Sequence, residues 1–142
     1  MAGEGETKVE GPTEGGLRSY GSMTYAGLKS MIYAGVSKDD PRVKAATKFL
    51  QQNYDLNSNP GVGQQGLFYY YHTMAKALNA VGGDSFKDAK GQDHAWKAEL
   101  RAKLKSLQKE DGSWVNETTR WMEGDPNLVS AYALLALAQV KP

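Results

Sequence analysis

The residues best suited to chemistry lie in the stretch LFYYYHTMAKAL (67–78), where Tyr69, His72 and Lys76 follow one another at i, i+3 and i+7. That spacing sets all three on one face of a helix. An imidazole between a phenol and an ammonium can hold an anionic group, or act as general acid or base near neutral pH. Tyr25 and Lys29 repeat the pattern four residues apart. Aromatic faces at such positions can also stabilise a cation. The plainer alternative is tyrosines packed with satisfied hydroxyls, lysines reaching solvent along their stems, and a structural histidine. A second group is the segment RWMEGD, with Arg120, Trp121, Glu123 and Asp125. It sits in a long loop, where binding residues concentrate, or else is a surface loop whose Asp125 caps the next helix.

What is missing narrows the chemistry. The chain has no cysteine and only two histidines, His72 and His94, so thiolate nucleophiles and Cys-ligated zinc are excluded and no metal or cofactor is expected. With 17 basic and 16 acidic side chains the formal charge is +1, which gives no general pull towards nucleic acid. Leu128 to Val140 is the most apolar run and falls short of the roughly 20 residues a bilayer requires, so no transmembrane segment is expected. Residues 1–19, rich in Gly and Glu, lack the apolar run of a secretory signal and read as a flexible lead-in to a domain over 20–142. No compartment follows from this composition. Asn116-Glu117-Thr118 fits a glycosylation acceptor, a match common by chance.

These residues need helices to position them, and five helical segments are expected, over Ser22–Ala34, Pro41–Asn53, Leu67–Val81, Asp93–Glu110 and Asn127–Val140. Asp40-Pro41 and Asp125-Pro126 are helix starts, whereas Gly35 and Gly82 are stops. The first, third and fifth segments are apolar nearly all round, while the second and fourth carry heavily charged faces. Apolar helices belong inside and amphipathic ones face water, so the alternation predicts inner and outer layers in an all-α fold. It also repeats. A shift of about 47 lays Lys29 on Lys76 and Gly35 on Gly82, and one of about 107 lays Tyr25 on Tyr132. A shift of about 57 lays KFLQQNYDLN over KSLQKEDGSW. Loops 54–66 and 111–126 should then share one rim, at the N-terminal ends of the third and fifth helices, bringing Asn57, Asn59, Gln64 and Gln65 near Asn116 and RWMEGD.

Gln108, Gly112 and Trp114, spaced Gln-x-x-x-Gly-x-Trp before the apolar helix LVSAYALLAL, resemble the QW motif. That motif belongs to the squalene–hopene cyclase and terpene cyclase superfamily, whose repeat is shared with protein prenyltransferase β subunits. The resemblance covers most of the chain from about residue 20. It implies a partial (α/α) toroid, with Gln108, Gly112 and Trp114 as a structural staple: the Gln end of one helix bonds the start of the next and the Trp ring packs across. About six helix pairs complete such a ring and this chain supplies roughly two and a half repeats, as a C-terminal portion or a short member would. Missing upstream repeats or a homo-oligomer would complete it.

The family's chemistries lack their defining residues here. In place of the Asp-x-Asp-Asp acid stands Ser37-Lys38-Asp39-Asp40, and zinc-ligand and thioester cysteines are absent. The resemblance implies a terpene cyclase- or prenyltransferase-like protein binding a polyisoprenoid or other apolar small molecule, with no catalytic residue assigned. Two further readings stand beside it: a non-catalytic binding or scaffold module using the toroid rim, and a polysaccharide-active (α/α) barrel.

Overall fold

Asp40 and Asp125 each precede a proline, and each opens a helix by accepting a backbone N–H from the residue after that proline, at 2.8 Å in both cases. The proline lacks the N–H that a first helical turn leaves unpaired, so the two residues together set a sharp start. The structure, a computed structural model, describes residues 19–141. Its helices are α1 Gly21–Tyr33, α2 Pro41–Gln52, α3 Leu67–Val81, α4 Trp96–Leu107 and α5 Pro126–Gln139. The fold is all-α apart from a small antiparallel hairpin, β1 Phe86–Lys87 with β2 Asp93–His94, and a single 3-10 turn, Arg120–Met122. The lead-in expected over 1–19 falls almost wholly outside the described residues.

The stop of α1 follows from one glycine. Gly35 has φ +72°, and its N–H and that of Val36 bond back to Ile32 and Met31 at 3.0 Å, closing the helix with a left-handed residue that only glycine adopts cheaply. The fourth helix departs from expectation. It spans Trp96–Leu107 rather than Asp93–Glu110, because Asp93 and His94 pair with the strand Phe86–Lys87 and the backbone turns extended at Gln108. Asp88 makes that hairpin possible by accepting the N–H groups of Lys90 and Gln92, at 2.8 and 2.9 Å.

Helix α3 packs between α1 and α5, α2 lies on α1, and α4 lies on α5. The outer helices are tied together on one side of this row. Tyr54 donates to Glu99 at 2.9 Å, Lys103 to Asn57 at 2.8 Å, and the Ala89 N–H of the hairpin to the Gln51 carbonyl at 2.9 Å. The core lies between the row and its cover and includes Tyr25, Tyr70, Tyr71, Met74, Trp96, Leu100 and Leu104. Tyr70 and Tyr71 bury their rings and donate their hydroxyls to the carbonyls of Asp55 and Leu56, both at 2.6 Å, which anchors loop 54–66. Burial with a satisfied hydroxyl is the favourable way to place a tyrosine inside.

Of the three helices expected inside, only α3 is enclosed. Leu134 and Leu135 of α5 are 58% and 45% exposed and Tyr33 of α1 is 70% exposed. The reason is position: α1 and α5 end the row, and each has α3 on one side alone among the described residues. No described helix is long and apolar enough to cross a membrane.

Candidate functional site

Helix α3 begins without a cap of its own. Gly66, the residue before it, has φ +61° and no side chain. The N–H groups of Phe68 and Tyr69 instead donate to the carboxylate of Glu123, at 3.2 and 2.8 Å, across 55 and 54 residues of chain. Asn116 Nδ2 adds a third bond to that carboxylate at 2.8 Å and donates also to the Gln64 carbonyl at 2.7 Å. Glu123 is 1% exposed. A buried carboxylate is tolerated when donors surround it and the positive end of a helix faces it. Loops 54–66 and 111–126 therefore meet on one rim, as the repeat predicts. The same contacts bury the Asn116 amide, which leaves it unavailable as a glycosylation acceptor.

Anchoring Glu123 has a consequence for its neighbours. Trp121 and Met122 sit at φ +56° and +65°, a region that non-glycine residues avoid, and are 45% and 70% exposed. The Trp121 ring lies parallel to Tyr20, with centroids 6.4 Å apart, under the Arg120 guanidinium at 5.0 Å. Its other side meets Gly66, where an added Cβ would stand 2.8 Å from the indole. Below the indole opens a cleft of about 280 Å³ lined by Tyr20, Met23, Tyr69, Trp121, Glu123 and Tyr132, among others. Burial raises the phenol pKa values of Tyr20 and Tyr132, so both remain protonated donors at neutral pH.

Beyond the cleft the face continues along α3. Tyr69 meets Tyr132 edge-on at 5.5 Å, and His72 stacks on Tyr132 at 5.8 Å and 22°. Tyr69, His72 and Lys76 form the half-buried stripe of a helix that is otherwise buried from Leu67 to Leu78, as their spacing predicts. Burial pulls the His72 pKa below 6.5, and the charges of Lys76 and Lys29 pull it in the same direction. Its Nδ1 is buried with no hydrogen-bond partner. Lys29 therefore reaches the expected face. Tyr25 does not: it is 1% exposed, tilted against Tyr70 at 5.7 Å, so α1 turns its tyrosine into the core where α5 turns Tyr132 outward. Asp125 caps α5, beside the cleft but not in its lining.

The Gln-x-x-x-Gly-x-Trp segment works differently from the staple its resemblance implies. Gln108 Nε2 donates to the Gly112 carbonyl at 2.9 Å and so closes its own turn, without reaching α5. Trp114 makes the link between helices. Its indole N–H donates to the Leu104 carbonyl of α4 at 2.8 Å, and its backbone N–H to Ser130 Oγ of α5 at 3.0 Å.

One polar cluster has no counterpart in the sequence reading. His94 sits between Asp88 and Glu99, each 3.3 Å from a ring nitrogen, and stacks on Tyr54 at 4.1 Å. The hairpin turn brings these residues together, and no spacing in the sequence announces it. Among the described residues no group of His and carboxylates has the arrangement of a metal site.

No family profile, curated protein or solved structure matches this chain. The functional reading therefore rests on the residues and their geometry.

Proposed function

We propose that this chain is a non-catalytic binding segment of an (α/α)-toroid repeat protein, and that the cleft beneath Trp121 receives an apolar, unsaturated chain of the polyisoprenoid class. The observation that carries this reading is Trp121 itself: an exposed indole held at positive φ over a cleft walled by Tyr20, Tyr69 and Tyr132. Three tyrosine rings, an indole and Met23 supply the apolar surface of the cleft, and Ser22 and Glu123 stand among them as its polar groups. A strained backbone is maintained where the surrounding structure dictates it, and the three bonds to Glu123 do so here.

Two features favour binding over catalysis. Glu123, the carboxylate bordering the cleft, already accepts three hydrogen bonds and is committed to capping α3. His72 has no carboxylate partner among the described residues and is held neutral by burial and by two ammonium groups, so it is a poor proton donor.

Fluorescence provides the test, because Trp96 and Trp114 are buried and Trp121 alone of the three indoles is exposed. Farnesol should quench or shift the emission saturably. Trp121→Ala should abolish the signal and, by calorimetry, weaken binding about tenfold, the effect of removing one large aromatic contact. Saturable farnesol binding that persists undiminished in Trp121→Ala would overturn the reading.

A further inference from the structure

We infer that a second pocket, which shares no lining residue with the aromatic cleft, binds a straight-chain aliphatic carboxylate. It stands apart from the reading given for the cleft and holds or fails without it.

The pocket opens between α2, the second half of α1 and the end of α3, with a volume of about 380 Å³. Leu28 and Ile32 of α1, Val43 of α2, and Ala80 and Val81 of α3 form its walls, and no aromatic ring lines it. Leu28 and Val43 are buried, whereas Val81, though apolar, is 40% exposed. Covering such a surface is favourable in proportion to the apolar area removed from water. Walls of branched aliphatic side chains offer no ring to stack on, so they suit a flexible alkyl chain better than a planar ligand.

The polar groups of the lining give that chain a direction. Thr47 spends its hydroxyl on the Val43 carbonyl, at 2.8 Å, and brings no free donor to the middle of the pocket. Lys44 closes the first turn of α2, and Gln51 lies about 10 Å further along the helix axis. Lys38, from the turn that leads into α2, lines the pocket together with Lys44, and no carboxylate lines it. Two aspartates stand next to these lysines in the chain. Asp40 is taken by Arg42 at 2.9 Å, and Asp39 pairs with Lys44 at 2.9 Å. Counted with Asp39, the two lysines leave one net positive charge, which a monoanionic head balances and a dianion would exceed. The Lys44 and Asp39 side chains are 62% and 89% exposed, so their pair is weak and does not hold the ammonium back from a ligand. The carboxylate thus sits by Lys38 and Lys44, and the alkyl chain runs along α2 towards Gln51.

The full chain is titrated at neutral pH with decanoate, 1-decanol and decylamine, and binding is read from the NMR methyl resonances of Leu28, Ile32, Val43 and Val81. Decanoate should shift these methyls saturably and bind about fivefold more tightly than decanol, the effect of exposed charge pairs. Decylamine, repelled by the same lysines, should bind least. The double variant Lys38→Gln, Lys44→Gln should bring decanoate to the level of decanol. Ala80→Leu fills the pocket from α3 and should abolish the shifts, whereas Trp121→Ala should leave decanoate affinity unchanged. In the parent chain alone, absence of saturable shifts, or an amine bound as tightly as the acid, overturns the inference. Undiminished decanoate affinity in the lysine variant or in Ala80→Leu also overturns it, and so does loss of that affinity in Trp121→Ala, which would place the ligand in the aromatic cleft.

Discussion

Loops 54–66 and 111–126 occupy equivalent places, each leading from an outer helix to the next helix of the inner row, and each caps the inner helix one step back. In the first loop Asn59 is fully buried, accepts the Ser22 N–H at 3.0 Å and donates to Ser22 Oγ and the Gln65 carbonyl, at 3.1 and 3.0 Å. In the second, the aligned asparagine is Asn116, and it holds Glu123, which does the capping. The first loop meets its positive φ angles with Gly61, Gly63 and Gly66, and the second places Trp121 and Met122 there. A neutral amide cap goes with an unstrained loop anchored to two tyrosine hydroxyls. A charged cap, bonded more strongly to the helix N-terminus, goes with a strained loop that holds an indole out over a cleft. The comparison separates a loop that only closes the fold from one that closes it and also presents a surface.

Exchanging residues between the loops tests this. The largest effect is expected for Trp114→Asn, which gives the second loop the residue that Asn57 supplies in the first. Loss of a buried indole and of its bond to Leu104 should cost about 4 kcal/mol in urea unfolding. A cost below that of a surface substitution would show that the link between α4 and α5 lies elsewhere. Glu123→Ala should follow at about 3 kcal/mol, since it leaves two helix N–H groups unpaired in the interior and takes from the Asn116 amide one of its two acceptors. Glu123→Gln should recover part of that loss, and full recovery would mean that the charge contributes nothing. Asn59→Ala should cost about 2 kcal/mol, being a neutral cap with one buried donor left unpaired. If Asn59→Ala proves as costly as Glu123→Ala, the distinction between the two caps fails.

The smallest effect concerns pH. Burial and two lysines depress the His72 pKa in the folded chain below 6.5, so folding favours the neutral ring. Stability is then complete above about 6.5 and declines as the pH falls from there through the depressed folded value. His72→Asn should flatten that part of the stability–pH curve and leave the rest unchanged. An identical curve in the variant would place the titrating group elsewhere.

Much of this was legible because its causes are local. Tyr69, His72 and Lys76 share a face through helical periodicity alone, and the Asp-Pro pairs start their helices through contacts two residues long. The shared rim followed from the repeat. Other features were hidden by distance along the chain. Glu123 read as a loop carboxylate because the N–H groups it serves belong to a helix more than fifty residues away. Tyr25 aligned with Tyr132, yet the two face opposite ways, since a repeat register does not fix how a helix at the end of a row is turned. The hairpin at Phe86–Lys87 was missed because strands of two residues carry no alternation to detect. His94 gained its two carboxylates and the Tyr54 ring only through that hairpin.

By itself, the chain's sequence determined where α1, α2, α3 and α5 begin and end to within one residue, which helices are apolar, and which side chains share a helical face. Capping, proline and periodicity act over a few residues and need no partner. Tertiary structure decided that Glu123 is a cap, that Gln108 closes its own turn while Trp114 joins two helices, and that His94 lies between Asp88 and Glu99. Each of those outcomes depends on burial and charge arriving from a distant segment, and neither is set until the helices have packed.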